Sequence, residues 1–172
     1  ESNEEKNKKL NLVAHQGTKN IISTISKSCK IIFPSTHVIY EGIHSPKNNI
    51  TESENPLPLL AYAKGKVDNE EQIKNSGNNY IILRLGTVYG YSSDTTRLDI
   101  MPNLFSKISS QNGTIKLFSG GKQIKSLVPL IDVARCFKFM EENKNFKFET
   151  FNVTKETVSV KKVAEICKKI NS

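Results

Sequence analysis

The chain is poor in the residues that hold metals or make cross-links, and it has no long apolar run. Only three cysteines occur in 172 residues, Cys29, Cys136 and Cys167, far apart and odd in number. They offer neither a disulfide framework nor metal spacing, and they fit a reducing cytoplasm. The three histidines, His15, His37 and His44, form no ligand cluster on helical spacing, so no metal is expected. Apolar runs reach only a few residues, which excludes a transmembrane helix, and the opening E-S-N-E-E-K-N-K-K lacks the apolar core of a signal peptide. Arginine is scarce. Only Arg84, Arg97 and Arg135 occur, and the lysines that give the net charge of +8 are scattered among acidic residues and asparagines. That pattern reads as a solvated lysine surface without a nucleic-acid footprint, although the positive field suits an anionic nucleotide.

The rest is that of a globular chain. Hydrophobic content of 37% and aromatic content of 8% exceed what a disordered segment carries. The length accommodates one ordinary domain, or two lobes sharing a core.

Strand and helix signals alternate. Residues 10–27 read as a helix, with Leu10, Val13, Gly17, Ile21 and Ile25 at three- and four-residue steps. Gly17 costs about 1 kcal/mol there relative to alanine, so close packing is expected to require it. Residues 30–33 read as a buried strand that Pro34 ends. Residues 40–58 carry Gly42, Pro46, Asn48, Asn49, Pro56 and Pro58 and read as a long loop. A helix over 59–75 and a strand over 80–85 follow, then a polar loop over 91–101. Pro102 opens a helix to residue 110, and Asn112-Gly113 marks a turn. Strands are expected at 114–118, 125–130 and 148–153. Asp132 begins a helix to residue 143, and Ser159 begins one to residue 170, with Val160, Val163, Ala164 and Ile166 inward. Such alternation predicts an α/β protein with a parallel sheet.

Within this frame stands Y-A-K-G-K, with Tyr62 and Lys66 four apart on the 59–75 helix and so one turn apart on one face. An ammonium beside a phenol favours the phenolate and lowers the tyrosine pKa from its reference of about 10, which makes a proton donor and acceptor for neutral pH. Thr36, in S-T-H-V-I-Y, supplies a hydroxyl to hold a substrate hydroxyl, or serves as a turn residue bonding its own backbone after a strand.

Six segments, in order, match the motifs of one enzyme family. G-T-K-N-I-I (17–22) is similar to the helix G-T-x-N-L-L. K-I-I-F-P-S-T-H-V-I-Y-E-G (30–42) is similar to the strand ending S-S-x-x-V-Y-G, and P-L-L-A-Y-A-K-G-K-V-D-N-E (58–70) to the Y-x-x-S-K-x-x-x-E helix. I-L-R-L-G-T-V-Y-G (82–90) resembles I-L-R-x-x-N-V-Y-G-P, and S-G-G-K-Q-I-K-S-L-V-P-L-I-D-V-A (119–134) resembles G-x-G-x-Q-x-R-D-F-V-H-V-D-D-V-A. F-N-V (151–153) with S-V-K-K-V-A-E-I matches the closing strand and helix. In these segments the chain resembles the extended short-chain dehydrogenase/reductases, in the NAD-dependent epimerase/dehydratase branch that acts on nucleotide sugars.

The resemblance implies the C-terminal part of a Rossmann-like doubly wound parallel sheet plus a small α/β substrate-binding lobe. Residues 1–90 would be the remainder of the dinucleotide-binding domain and 91–172 mainly the substrate lobe. The family's opening G-x-x-G-x-x-G is not found in the sequence, whose only glycine pair is Gly120-Gly121, so the chain is expected to be part of a longer protein.

The family chemistry implies roles. A substrate hydroxyl is oxidised by hydride transfer to NAD or NADP. Tyr62 matches the acid/base, Lys66 the residue that lowers its pKa and holds the cofactor ribose, and Thr36 the residue that shares the substrate hydroxyl. Ser35, Tyr62 and Lys66 would touch the cofactor, and Thr36, His37, Thr87 and Lys125 the nucleotide-sugar substrate. His37 would donate to a sugar hydroxyl or phosphate, or is a plain loop histidine. Thr87 stands for a family asparagine, and Lys125 for an arginine on the diphosphate, keeping the charge without the fork. His37 and Val38 replace the Asp-Glu pair of 4,6-dehydratases, which leaves epimerase or reductase. Gly65 replaces a family serine, and Ala14 a family asparagine. Asn11, one turn earlier, would substitute for the latter only in another register. A homodimer through the Tyr–Lys helix is implied as well. Two rivals stay open: a non-catalytic binding or scaffold protein on the same fold, and a nucleic-acid binder resting on charge alone.

Overall fold

The protein is described here by a computed structural model, over residues 3–43, 49–94 and 96–170. Part of the 40–58 loop, with His44 and Pro46, lies outside the described residues. The chain forms two compact units, Glu1–Leu85 with Phe137–Asn152, and Gly86–Cys136 with Val153–Ser172. The change of unit falls at Leu85–Gly86, and the chain returns to the first unit within a helix, after Cys136.

Unit 1 is built on a three-stranded sheet of order β1-β2-β5, from β1 (Lys30–Thr36), β2 (Asn79–Leu85) and β5 (Glu149–Val153). β1 and β2 run parallel in register from Lys30↔Asn79 to Thr36↔Leu85. Two long helices accompany them, α1 (Asn3–Thr24) and α2 (Ala61–Lys74). Ile81, Ile82 and Leu83 in the central strand are fully buried. Each such side chain is worth about 1.5–3 kcal/mol of burial, which makes β2 the spine of the unit. Ile39 and Ala63 are equally buried where α2 meets the turn after β1. Phe146 sits between Phe139 and Phe151 at 5.9 and 5.6 Å, the second contact edge-to-face, and so pins the end of α4 (Leu130–Glu142) to β5. Lys30 Nζ donates to the Met140 and Asn143 carbonyls, a cation on the carbonyl end of that helix.

Three expectations need correction in this unit. β1 does not end at Pro34 but runs through it to Thr36. β1 is an edge of the described sheet and Pro34 is exposed, so its missing N–H leaves no ladder bond unmade. α1 begins well before residue 10, because charged residues such as Glu5, Lys8 and Lys9 are good helix formers. Gly17 is not held by close packing: a Cβ built there meets no atom within 4 Å.

Unit 2 carries a second sheet of order β3-β4-β6, from β3 (Thr87–Tyr89), β4 (Ile124–Pro129) and β6 (Glu156–Ser159). β3 is parallel to β4, and β6 is antiparallel to it, so this sheet is mixed. α3 (Met101–Ser110) and α5 (Val160–Ile170) pack together, and Phe105, Leu127, Val163 and Ala164 form the core beneath them. The Ser159 hydroxyl accepts from Lys162 N–H at 3.2 Å and caps α5. Gly86 enters the unit at a tight crossing. A Cβ there would stand 2.9 Å from the Ser126 carbonyl oxygen, and its own N–H donates to Val153 O at 2.9 Å.

Residues 114–118 form no strand. Residues 113–117 are irregular, and Phe118–Gly121 is a short 3-10 turn. Ile115 and Leu117 find burial directly against the Phe105 cluster, without a ladder partner. Ile166 does not face inward with Val163 and Ala164; it is 44% exposed and lines the cavity described below. No helix among the described residues is long and apolar enough to cross a membrane.

Candidate active site

The first unit gathers its chemistry at the carboxyl end of β1. The strand closes with Ser35 and Thr36, both buried, and the chain turns at once into a 3-10 helix, His37–Tyr40. Thr36 caps that turn: its Oγ1 accepts from Val38 N–H at 3.3 Å. The hydroxyl proton is not used in that bond. His37 is half-buried, with Nδ1 3.0 Å from the Leu85 carbonyl at the end of the neighbouring strand. Thr36 and His37 therefore lie where parallel strands of α/β sheets bind ligands, beyond their carboxyl ends.

α2 lays Tyr62 and Lys66 along one line, and Lys66 is anchored to β1. Its Nζ donates to the Pro34 carbonyl at 2.6 Å. The same ammonium stands 4.6 Å from the centroid of the Phe33 ring and 5.8 Å from that of Tyr62. Burial pushes the Lys66 pKa down, and the Glu70 carboxylate one turn on pushes partly back. Tyr62 is 45% exposed, so the phenol beside this cation is open to an incoming molecule.

Beneath this pair lies a polar cluster that the motif reading left almost untouched. Glu70 and Arg84 are 2% and 3% exposed. Arg84 Nη2 donates to Glu70 Oε2 at 2.8 Å, and Nε donates to Oε1 and Oε2 at 3.2 and 3.3 Å. Ser35 Oγ donates to Glu70 Oε1, and Arg84 Nη1 donates to the Tyr40 hydroxyl and, at 3.0 Å, to Glu52 O. Tyr40 in turn reaches Asn152 Oδ1 at 3.4 Å. Burial opposes the Arg84 charge, but bonding to Glu70 outweighs it and leaves the guanidinium pKa raised. Tyr40 is held neutral, its pKa raised by burial. The sequence carries a signal for this cluster: a lone arginine inside I-I-L-R-L, and a glutamate continuing the four-residue ladder Tyr62, Lys66, Glu70.

The packing of α1 on α2 bears on the two substituted positions. A Cβ on Gly65 would meet Asn11 Oδ1 at 3.4 Å and Ala14 Cβ at 3.5 Å, which is ordinary contact. Asn11 and Ala14 thus both face α2 at Gly65, with no change of register. Farther along, His15 Nδ1 lies 2.7 Å from Asp68 Oδ2, and Gln72 donates to the same carboxylate at 2.8 Å.

The second unit holds Thr87 and Lys125. Thr87 pairs with Leu127 across β3 and β4, and Lys125 pairs with Val158 across β4 and β6. Alternation puts Thr87, Leu127 and Lys125 on one face of the sheet. On that face lies a cavity of about 430 Å³, whose lining includes Tyr89, Gly90, Thr96, Asn103, Leu127 and Glu156. Its lining begins two residues beyond Thr87. Gly90 N–H donates to Asn103 Oδ1 at 3.0 Å, and Tyr89 donates to Glu156 at 3.4 Å. Asp132, at the start of α4, holds Arg135 at 3.2 Å and Lys155 at 3.8 Å, an ordering role at a helix start.

A parallel sheet with a Tyr–Lys helix at the end of its edge strand defines a class, and a family model agrees. The chain belongs to the NAD-dependent epimerase/dehydratase family, whose model matches residues 1–154. Its fold is similar to that of UDP-glucose 4-epimerase from Thermotoga maritima, solved with UDP-glucose, at 22% identity and a TM-score of 0.81 over 94% of this chain and 54% of that one. It is similar to UDP-glucuronic acid 4-epimerase from Bacillus cereus, solved with UDP-glucuronic acid and NAD, at 24% identity and a TM-score of 0.79 over 92% and 52%. UDP-N-acetylglucosamine 4-epimerase from Methanobrevibacter ruminantium matches at 19% identity and a TM-score of 0.73 over 91% and 52%. The chain thus spans about half the length of these solved structures. Among curated protein sequences, none is a significant match.

Proposed function

We propose that this chain is the Tyr–Lys portion of an NAD(P)-dependent epimerase or reductase acting on a nucleotide sugar. The observation that carries the reading is Lys66, anchored to the Pro34 carbonyl and standing beside the Tyr62 ring. Tyr62 is the acid/base: its phenolate takes the proton from a sugar hydroxyl, or its phenol returns one. Thr36, with a proton to spare from its capping bond, orients that hydroxyl. Lys66 keeps the phenolate accessible through its charge and has further N–H groups for a ribose.

The residues at the carboxyl end of β1 fit a nicotinamide cofactor, which when bound accepts and returns hydride at the sugar carbon. Lys66 and Tyr62 would hold it. Ser35 gives its proton to Glu70, so it would meet the cofactor through an oxygen lone pair or its main chain. His37 donates to a sugar hydroxyl or phosphate. In the second unit, Thr87 binds the sugar nucleotide and Lys125 its diphosphate, as a point charge. The division of labour runs near residue 90, with residues 91–172 mainly concerned with substrate. We further propose a homodimer through the Tyr–Lys helix and a place in the cytoplasm.

A second reading, a non-catalytic binding protein on the same fold, draws support from Ala14 and Gly65, where the resemblance expects asparagine and serine. The discriminating experiment replaces Tyr62 with phenylalanine in the full-length protein. The enzyme reading expects loss of turnover with an unchanged circular dichroism spectrum. Normal turnover in that variant sinks it.

A further inference from the structure

The deepest charges in the first unit are not those of the Tyr–Lys pair. Glu70 and Arg84 are almost fully shielded from water, while Tyr62 is half-exposed. A buried ion pair is a poor device for stability alone, since well-packed apolar residues of the same volume often do as well or better. Its worth lies in geometry, and here the geometry has a direction. Tyr62, Lys66 and Glu70 succeed one another at four-residue steps on one face of α2. Glu70 is gripped from β2 by the Arg84 fork and from β1 by the Ser35 hydroxyl. Arg84 is itself held by Tyr40, from the turn that Thr36 caps, and by the Glu52 carbonyl.

We propose that the Glu70–Arg84 pair is the positioning element of the Tyr–Lys centre: it fixes the rotation of α2 against β1 and β2 and holds the Glu70 carboxylate one turn from Lys66. The inference rests on the reading of Tyr62 and Lys66 as the reacting centre, and it assigns the pair no contact with substrate. Both members must be present: Glu70 supplies the charge that opposes the effect of burial on Lys66, and Arg84 holds that carboxylate in place. With Glu70 neutralised, Lys66 loses that support. The other polar groups near the pair are few. Lys74, on α2, lies 3.8 Å from Glu70, Ser35 and Tyr40 are neutral, and His15 of α1 engages Asp68.

The two single changes therefore act differently on the same lysine, which a purely structural pair would not do. The test is ¹³C NMR of reductively methylated lysines in the full-length protein, with the Lys66 signal assigned through Lys66→Arg, together with the pH profile of kcat/KM. Glu70→Gln is expected to move the Lys66 titration, and the alkaline limb of the profile, to lower pH. Arg84→Met keeps the carboxylate and is expected to lower neither. Arg84→Lys keeps the charge, so Lys66 titrates as in the parent while kcat falls because the fork is lost. If Arg84→Met does not fold, Glu70→Gln and Arg84→Lys still decide the matter. An unmoved Lys66 titration in Glu70→Gln, with activity falling only in step with Tm, overturns the inference. If Lys66 shifts as expected but the parent turns over no nucleotide sugar, the nucleotide-sugar reading falls while the hold of the pair on Lys66 stands.

Discussion

Replacing Arg84 with methionine removes three hydrogen bonds from Glu70 and one each from Tyr40 and Glu52. The volume is roughly kept, so the change probes charge more than packing. What remains around Glu70 is the Ser35 hydroxyl and Lys74 at 3.8 Å, on a carboxylate 2% exposed. Removing one partner of a buried pair costs about 3–5 kcal/mol. That is a large fraction of a domain's typical total of about 5–15 kcal/mol. With a urea slope of about 2 kcal/mol/M, the midpoint should fall by roughly 2 M. The Glu70→Met and Arg84→Met double variant leaves no stranded charge, so it should be less destabilised than the sum of the singles by at least about 2 kcal/mol. Urea unfolding of the four proteins measures both quantities. A single-variant loss below about 1 kcal/mol, the size of an exposed bridge, would refute the claim that the pair is dry and closely coupled. Strict additivity would refute it as well.

Other expectations are smaller or local. Gly17→Ala should stabilise by about 1 kcal/mol, because the helix gains a better former and the new Cβ meets nothing, and Tm should rise by about 2–4 °C in a scan. Gly86→Ala should destabilise by about 1–3 kcal/mol, since its Cβ would press on the Ser126 main chain, which cannot swing aside; a chemical melt reads this. Lys66, whose folded pKa is lowered by burial, weighs on the folded state while charged, and the weight lifts as pH rises from that lowered value towards its ordinary value of 10.5. Relative to Lys66→Met, the parent should therefore gain Tm across that alkaline window; a gap that stays constant would contradict the burial seen for Lys66.

Much of the first unit was legible because its signals are local. Tyr62 and Lys66 fell on α2 as their spacing requires, and Asn75 closes the helix near the expected end. Pro34 misled because proline reads as a strand end, yet its effect depends on whether its N–H faces a partner, which is a property of the sheet and not of the run. Thr114–Phe118 has the composition of a strand, but Ile115 and Leu117 are satisfied by burial against α3 and α5 without pairing. β3 and β6, of three and four residues, are too short for any alternation to stand out. Gly17 shows the opposite failure: a conformational cost in a helix does not imply a packing reward, and the space beside it is open. The buried cluster joins Ser35, Tyr40, Glu70, Arg84 and Asn152, far apart in sequence. Only the lone arginine in an apolar strand and the glutamate one turn beyond Lys66 hinted at it.

The central claim is that Tyr62, beside the Lys66 ammonium, moves the proton of a sugar hydroxyl. The most direct measurement is the rate of NAD(P)-dependent conversion of nucleotide sugars by the full-length protein, parent against Tyr62→Phe, at matched folding by circular dichroism. The account predicts turnover in the parent and a loss of at least about 100-fold in the variant, the lower end of what a positioned acid/base contributes. Equal turnover in the two proteins would contradict it.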